Sequence, residues 1–322
     1  MNIINSPFYC PYTKEQLFYS EKKDYLLSSK HKFPIINDIP RFIDSENYAK
    51  GFGNQWNRFP KTQLDSHTRT SISKKRLSRC LNGKINKIKN KYVLEAGSGA
   101  GRFTEILLSQ GAYVHSFDIS NAVDANWKNN CLSKRLKIAQ ASILEIPFKK
   151  EGYDYVICLG VLQHTPSPEV SIRKLWEMVK PGGYLVFDHY LFKWNNILPP
   201  PLGIANPWYR RFVLGRKHEQ RYQIVNRIVN FWFPIHWFFR KSITAQRILR
   251  RVSPLIFYYN SLPLKSKDVF YEWSLLDTHD ALTDFYRHYR SPKQIYKTLD
   301  DLKCKFRNIK ISNHGIEVFC KK

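Results

Sequence analysis

The stretch VLEAGSGAGRF, from Val93 to Phe103, decides the fold of this chain. β-Branched and apolar residues lead to the acidic Glu95, and glycines then occupy every second position: Gly97, Gly99 and Gly101. Glycine tolerates the backbone angles of a tight turn and lets a ligand approach the main chain. The stretch therefore predicts a strand that turns sharply into a helix. It fits a nucleotide-binding turn or a purely structural one, and Arg102 departs from the G-x-G-x-x-G pattern of NAD enzymes.

Strand and helix patterns alternate around this turn. Apolar runs that predict strands are KYVLEAG, AYVHSFDIS, LKIAQASI, YDYVICLG and YLVFDHY. Helical spacing marks residues 101–111, 121–134 and 167–183, where Pro-Gly-Gly ends the last helix. Such alternation with short connections is typical of an α/β fold, an open and mostly parallel sheet with helices on both faces. A helix at 291–304 and the strands FRNIKIS and IEVFCKK, joined by the hairpin turn N-H-G, close the chain.

The pattern divides the chain into five predicted segments. Residues 1–45 are predicted to form a small β-rich module. Residues 46–90 are predicted to form a helical segment that leads into the sheet and covers the ligand bound at the glycine turn. Residues 91–190 are the sheet core, residues 191–290 a basic, aromatic and mainly helical insertion, and residues 291–322 the final helix and hairpin.

The composition points to a folded protein with a strong positive field. The 322 residues carry a net charge of +26, and two stretches, 61–91 and 205–255, supply most of the excess. Such a field attracts nucleic acid, anionic lipid or phosphorylated substrates, or it is simply a solvated basic face. Six scattered cysteines without C-x-x-C, no secretory signal and no apolar run of about 20 residues predict a cytoplasmic protein with reduced thiols.

Two carboxylates stand where a ligand would meet the sheet, beyond the carboxyl ends of its strands. Asp118 ends the second strand of the core, where a carboxylate accepts two hydrogen bonds from a ribose diol; the other reading is a helix N-cap, a role open also to Ser120 or Asn121. Glu95 ends the first strand, where a carboxylate can meet the ammonium group of a ligand through hydrogen bonds or water. NAD has no such amine.

As a set, EAGSGAGRF, FDIS, IPF, YDYVICLGVLQHTPSP and LWEMVKPGGYLVF resemble the class I S-adenosylmethionine-dependent methyltransferases, closely over residues 91–190. The resemblance implies a Rossmann-like sheet of seven strands whose last strand is antiparallel, with S-adenosyl-L-methionine as the cofactor. The implied cofactor-binding residues are Glu95, Gly97, Ser98, Gly99, Gly101, Asp118, Ile119, Ser142, Ile143, Leu159, Gly160 and Gln163. Many relatives have aspartate where this chain has Ser142, which changes the expected contact with adenine.

Two further resemblances concern the N-terminal part. CPYTKEQL and FPIINDIPRF resemble the small Trm112-like zinc-ribbon proteins that partner methyltransferases, but of the four zinc cysteines only Cys10 remains. We therefore expect a module that binds no metal and packs as a domain interface. NYAKGFGNQWN, at 47–57, resembles the segment that leads into bacterial methyltransferases of glycan or secondary-metabolite gene clusters. We expect it to fold over the cofactor.

Methyl transfer to a hydroxyl requires a base, and four residues are candidates for the catalytic group: His164, His189, Asp277 and His279. His164 follows the fourth core strand and His189 ends the fifth. Each also fits a purely structural role, as a loop-holding or a buried strand-end histidine. Asp277 and His279 lie in YEWSLLDTHDALTDFYRHYRSP (271–292), which predicts either an acceptor pocket or ordinary helix caps and surface charge.

The insertion at 191–290 is the segment whose composition indicates the class of partner or acceptor. IVNFWFPIHWFFRKSITAQRILRR (228–251) interleaves aromatic and basic residues, which suits RNA, a membrane interface with a lipid-linked substrate, or a simple helical lid. We expect O-methylation of a saccharide, lipid-linked or nucleotide-activated small-molecule acceptor, by an enzyme that is cytoplasmic or peripheral at an anionic inner membrane face. RNA methylation is the second reading. A non-catalytic cofactor-binding regulator is the third.

Overall fold

The computed structural model describes residues 4–44, 47–200, 202–258 and 262–322. Its largest element is a seven-stranded sheet with the spatial order β11-β12-β10-β9-β6-β7-β8. These strands are β6 (Tyr92–Ala96), β7 (Tyr113–Asp118), β8 (Leu136–Gln140), β9 (Tyr153–Cys158), β10 (Val179–His189), β11 (Phe306–Ser312) and β12 (Gly315–Lys321). Strand β12 pairs antiparallel with both of its neighbours, and the pairs among β6–β10 are parallel. The predicted fold class, including the antiparallel last strand, is confirmed.

Helices cover both faces of this sheet. Because neighbouring strand residues point to opposite sides, the contacts of Val93 and Leu94 show which helices lie on each face. Val93 faces a cluster with α3 (Ile72–Cys80) and α4 (Arg102–Ser109). Leu94 faces a cluster with α6 (Pro168–Met178) and α11 (Pro292–Asp301). Further helices along the chain are α1 (Lys50–Arg58) and α5 (Val123–Asn130), and the short α2 (Asp65–Thr68) lies between α1 and α3 in the sequence. Strand β6 lies between β7 and β9, so the strand order reverses there and opens a crevice at the carboxyl ends.

The predicted helix at 167–183 was too long. Helix α6 ends at Met178, and Val179 already pairs with Tyr153 in the sheet. Lys180 precedes Pro181, whose ring disfavours the helical conformation of the residue before it. Gly182 has a φ of +79°, and the pairing register of β10 with β9 shifts between Val179 and Tyr184. The Pro-Gly-Gly sequence therefore shapes a strand entry and not a helix end.

A second sheet of five antiparallel strands forms the N-terminal module. Its strands, in order along the sheet, are β1 (Ile4–Tyr9), β2 (Gln16–Tyr19), β3 (Tyr25–Leu27), β4 (Lys32–Ile36) and β5 (Ile39–Pro40). The N–H of Tyr9 donates to the carbonyl of Pro147, and the N–H of Phe42 donates to that of Gln140, both at 2.9 Å. Cys10 is buried, with its Sγ 3.7 Å from Nδ1 of His31. The likeness to Trm112-like proteins stays a prediction.

The chain divides into two compact units. The first contains residues 1–60, 73–191 and 286–322, and the second contains Lys61–Ile72 and Phe192–Phe285. The long helices of the second unit are α7 (Asn206–Leu214), α8 (His218–Phe238), α9 (Ile243–Val252) and α10 (Lys267–Thr283). No helix within the described ranges is long and apolar enough to cross a membrane. The five predicted segments stay predictions, and their boundary at residues 45 and 46 lies outside the described residues.

Candidate active site at the carboxyl ends of the parallel strands

The glycine turn between β6 and α4 lies at the crevice. The N–H groups of Gly97 and Ser98 donate to the carbonyl of Phe117, at 2.8 and 3.1 Å, which holds the turn against β7. Gly97 and Gly101 have φ angles of +74° and +91°. A Cβ on Gly97 would lie 2.3 Å from Val161, and one on Gly101 would lie 2.3 Å from Oδ1 of Asn126. The turn therefore requires glycine at both positions.

Asp118 ties the end of β7 to this turn. Its Oδ2 accepts from the N–H of Gly99 at 2.9 Å, and its Oδ1 accepts from the N–H and the hydroxyl of Ser120 at 2.8 and 2.7 Å. Burial raises the pKa of the Asp118 carboxyl above its usual value. Helix α5 begins later, with Ala122 as its N-cap, so Asp118 does not serve as that cap. The carboxylate is instead fixed beside the glycine turn.

Glu95 is buried under the same turn with one oxygen bonded and one not. Its Oε2 accepts from the hydroxyls of Thr104 and Ser116, at 2.5 and 3.2 Å. Its Oε1 has no hydrogen-bond partner within the described chain. Burial is the largest influence on this carboxyl and raises its pKa to about 7. The group is therefore poised to change its protonation state near neutral pH.

Three aromatic residues around α1 line the same end of the sheet. The Trp56 indole lies 3.4 Å from where a Cβ on Gly99 would be. Tyr48 lies near Asp118, and burial together with that carboxylate raises the pKa of Tyr48 to about 12. The ring of Phe52 lies 5.5 Å from that of His164. The aromatic side chains of the 47–57 segment therefore stand beside the glycine turn and the end of β7.

The end of β9 is anchored by a buried ion pair. Asp188 on β10 accepts from the N–H of Gly160 at 2.6 Å and pairs with the Arg76 guanidinium at 2.5 Å. Gln163 follows in a short 3₁₀ helix, Leu162–His164, and its buried Oε1 has no hydrogen-bond partner in the described part of the chain. Backbone and side-chain groups of β9 and β10 thus meet at the crevice.

Comparison with known proteins agrees with this geometry. Residues 94–187 match a family model described as a methyltransferase domain. Residues 94–187 are a methyltransferase domain. The matched range contains the glycine turn, Asp118 and the end of β9.

The chain is similar to ubiquinone biosynthesis O-methyltransferases. It is 34% identical to that of Coxiella burnetii over 103 residues, which are 31% of this chain and 44% of the relative. It is 35% identical to that of Pseudomonas putida over 104 residues, 30% of this chain and 44% of the relative. The chain thus spans less than half the length of these curated relatives.

Two solved structures show a more distant likeness. Human N-acetylserotonin methyltransferase in complex with S-adenosylmethionine is 11% identical, with a TM-score of 0.47 over 87% of this chain and 60% of the other. A methyltransferase from Aquifex aeolicus is 18% identical, with a TM-score of 0.35 over 48% of this chain and 79% of the other.

The other predicted cofactor-binding residues of the methyltransferase domain follow the same strand ends. The carbonyl of Ile119 accepts from the side-chain amides of Asn47 and Gln140, both at 3.1 Å. The hydroxyl of Ser142 accepts from the N–H of Leu144 at 3.1 Å, and Ile143 is buried beside it. Leu159 is buried directly after β9. Their roles toward the cofactor stay predictions.

The predicted bases fall into two pairs. His164 and His189 both belong to the first unit and border Tyr190. The ring of His164 lies 5.5 Å from the Tyr190 ring, and Nδ1 of His189 donates to the Tyr190 carbonyl at 3.1 Å. Because a carbonyl only accepts, Nδ1 of His189 carries the proton and Nε2 the lone pair. Burial lowers the pKa of His189 to about 4. This imidazole is therefore neutral at neutral pH.

Asp277 and His279 lie on α10 in the second unit and do not converge. Residues two apart on a helix point to different sides. Asp277 accepts from the side chains of Gln63 and Trp273, at 3.0 and 3.1 Å. His279 packs against the Tyr222 ring at 5.4 Å, and its Nδ1 lies 3.2 Å from the hydroxyl of Thr283. Asp277 thus joins α10 to the segment before α2, and His279 packs α10 against α8.

Sequence reasoning missed the part played by Asp188 and Arg76. Asp188 lies in the predicted strand YLVFDHY and Arg76 in the basic stretch 61–91, and neither was a candidate site residue. The available signal was an acidic residue directly after the apolar strand run YLVF, in the same place as the acids that end β6 and β7. The pairing with Arg76 on α3 joins residues 112 positions apart, and no local pattern indicates it.

Proposed function

We propose that this chain transfers the methyl group of S-adenosylmethionine to a hydroxyl oxygen of a small-molecule acceptor, a saccharide or a lipid-linked or nucleotide-activated intermediate. The observation that carries the proposal is the set of buried polar atoms that the described chain leaves without a partner around the glycine turn: Glu95 Oε1, Ser98 Oγ and Gln163 Oε1. Buried polar groups are normally hydrogen-bonded, so these atoms point to a polar ligand. The ammonium, carboxylate and hydroxyl groups of S-adenosylmethionine suit such partners.

Each side chain has a distinct task in this proposal. Glu95 receives the ammonium group of the cofactor, the backbone at Gly97–Gly101 approaches its methionine part, and Asp118 holds the ribose hydroxyls. Ser142 and Ile143 border adenine. When bound, the cofactor supplies an electrophilic methyl group on a sulfonium. The aromatic wall of Tyr48, Phe52 and Trp56 excludes water from the acceptor and donor atoms.

Oxygen as the methylated atom is supported by two considerations. The curated relatives are named as O-methyltransferases. A hydroxyl must lose its proton as it attacks, and His189 offers a neutral imidazole whose Nε2 has no partner in the described chain. We assign the proton acceptor to His189, with His164 as the matched alternative beside Tyr190.

RNA is the second candidate acceptor, favoured by the net charge of +26. The deciding experiment incubates the purified chain, methyl-labelled S-adenosylmethionine and an extract from a source strain that lacks the gene. Lipid, soluble glycan and RNA fractions are then counted. We expect label in lipid or glycan; label in RNA that nuclease removes would reject the small-molecule acceptor.

The base is tested in the same assay with two variants. His189→Gln should lower kcat by a factor of about 10² to 10⁴ and leave the Kd of S-adenosylhomocysteine unchanged. His164→Gln is the control of equal chemistry. A larger loss in His164→Gln than in His189→Gln would contradict the assignment.

A further inference from the structure

Exposed apolar side chains concentrate in the second unit. Of the twenty-one large apolar side chains that are exposed among the described residues, fourteen belong to this unit, which is about one third of the chain. Scattered exposed apolar residues are normal on any protein, whereas a concentration of them marks an interaction surface. The question is what this surface contacts.

Four of these fourteen side chains lie between the second half of α8 and the start of α9. We name the basic aromatic corner by its residues: Phe231, Phe238, Phe239, Arg240, Lys241 and Ile243. Phe231 and Phe238 are 65% and 76% exposed and, seven residues apart, lie on the same face of α8. The opposite face of that helix is buried through Val225, Val229 and Phe233. The exposed phenylalanines are therefore not part of the packing that holds α8 in place.

Charge and apolar surface alternate within the corner. The rings of Phe238 and Phe239 meet edge to face at 4.9 Å, and the Arg240 guanidinium lies over the Trp237 ring at 4.6 Å. Lys241 is exposed directly after them. Helix α9 continues the pattern with the exposed residues Ile243, Arg247, Ile248, Arg251 and Val252. Residues 205–255 hold eleven Lys and Arg against one Glu, and Asp284 on the following segment pairs with Arg210, so a large positive excess remains.

We propose that the basic aromatic corner docks onto the surface of an anionic lipid bilayer. Phenylalanine and isoleucine side chains at the end of an amphipathic helix gain free energy by entering the acyl boundary, while arginine and lysine attract anionic headgroups. RNA gains from stacking on aromatic rings but not from Ile243, Ile248 and Val252. A second copy of the corner would bring its basic residues against the same basic residues. The docking does not depend on the methyl transfer proposed above.

The test measures binding of the full chain, without cofactor or acceptor, to sedimented vesicles. Vesicles of phosphatidylglycerol and phosphatidylcholine are compared with vesicles of phosphatidylcholine alone. We expect binding to the anionic vesicles, weakened when salt rises from about 0.1 M to about 1 M and the screening length falls from about 10 Å to about 3 Å. Equal binding to both kinds of vesicle, or to neither, would overturn the proposal.

Matched variants locate the contact. Arg240→Gln with Lys241→Gln should weaken anionic vesicle binding roughly twenty-five-fold, at about fivefold per charge. Phe238→Ser with Phe239→Ser should weaken it about tenfold or more. The control for the charge variant is Lys22→Gln with Lys23→Gln, which removes the same charge outside the corner. The control for the apolar variant is Leu132→Ser with Ile311→Ser, which removes exposed apolar groups outside the corner. Both controls should bind vesicles as the unchanged chain does. Binding of S-adenosylhomocysteine and the thermal unfolding midpoint verify that every variant is folded.

Two other outcomes would also overturn the proposal. If the corner variants bind vesicles normally but lose affinity for a single-stranded RNA in a mobility-shift assay, the corner is an RNA surface. If they bind vesicles normally but convert a dimer to a monomer in sedimentation velocity, it is an interface between copies of this chain. Failure of methyl transfer with intact vesicle binding would affect only the proposed function.

Discussion

At the scale of single residues, Glu95 links the cofactor to protons. The pKa of its carboxyl is raised to about 7 by burial, so a substantial share of the molecules carry a proton there at neutral pH. An ammonium group beside Oε1 favours the ionised carboxylate and lowers that pKa. Binding of S-adenosylhomocysteine, which has the same ammonium, should therefore release protons below about pH 7, and the release should fade as the pH rises above 7.

Calorimetry in buffers of different ionisation enthalpy measures this release. Glu95→Gln keeps the shape of the side chain but has no proton to give, so the buffer dependence should vanish in that variant. The stability curve offers an independent check. A raised carboxyl pKa stabilises the folded chain fully below about pH 4.5, and this contribution is lost as pH rises through about 7. Wild-type release equal to that of Glu95→Gln would contradict the assigned contact.

Gly101 provides a second prediction at this scale. Gly101→Ala should destabilise the chain for two reasons, the φ of +91° and a Cβ 2.3 Å from Oδ1 of Asn126. The backbone angle alone costs an alanine about 1–2 kcal/mol. Gly182→Ala isolates this cost, because Gly182 has a φ of +79° and nothing within 4 Å of its Cβ position. Urea unfolding should show a clearly larger loss of unfolding free energy for Gly101→Ala than for Gly182→Ala. Equal losses would mean that the Asn126 side chain moves away from the added Cβ at no cost.

At the scale of elements, the buried pair of Asp188 and Arg76 fixes α3 against the ends of β9 and β10. Asp188→Asn leaves the Arg76 charge without a carboxylate in a position where Asp188 is 2% exposed. Breaking a buried pair from one side typically costs about 3–5 kcal/mol. Glu177→Gln removes one partner of an exposed pair with Lys150 and should cost less than about 1 kcal/mol. If urea unfolding shows similar losses of unfolding free energy for the two variants, the buried pair stabilises the fold no more than the exposed pair does.

The same elements show how far the sequence reaches. Strand β6, the glycine turn and Asp118 follow from local patterns, because a strand end and a tight turn constrain adjacent residues. The seven-stranded sheet with its antiparallel last strand follows from the resemblance, and the N-H-G turn indicates the hairpin of β11 and β12. The spatial order of the strands was not predicted. What local patterns do not indicate is pairing across space, such as Asp188 with Arg76 or Glu95 with Thr104 and Ser116. For α6 the error was an overlong prediction. Helical spacing continues in the sequence beyond Met178, where the helix ends because Pro181 disfavours a helical Lys180.

At the scale of the molecule, the N-terminal sheet and the seven-stranded sheet share one hydrophobic core. Phe8 on β1 is 2% exposed, and its ring lies 5.2 Å from Phe148 and 6.0 Å from Phe42. Arg41 adds an ion pair of 2.6 Å with Asp124, at the start of α5. The module therefore completes the core of the methyltransferase domain and should unfold together with it.

Phe8→Ala tests this cooperativity. Removing a buried phenylalanine costs about 3–5 kcal/mol, and the loss should reach the distant strands because the two sheets unfold as one. Hydrogen exchange followed by mass spectrometry should show equal losses of protection in peptides from β2–β3 and from β7 and β9. Phe306→Ala, at a ring that is 48% exposed, is the control and should change neither set. A loss confined to β2–β3 would mean that the module opens on its own while the cofactor site stays intact.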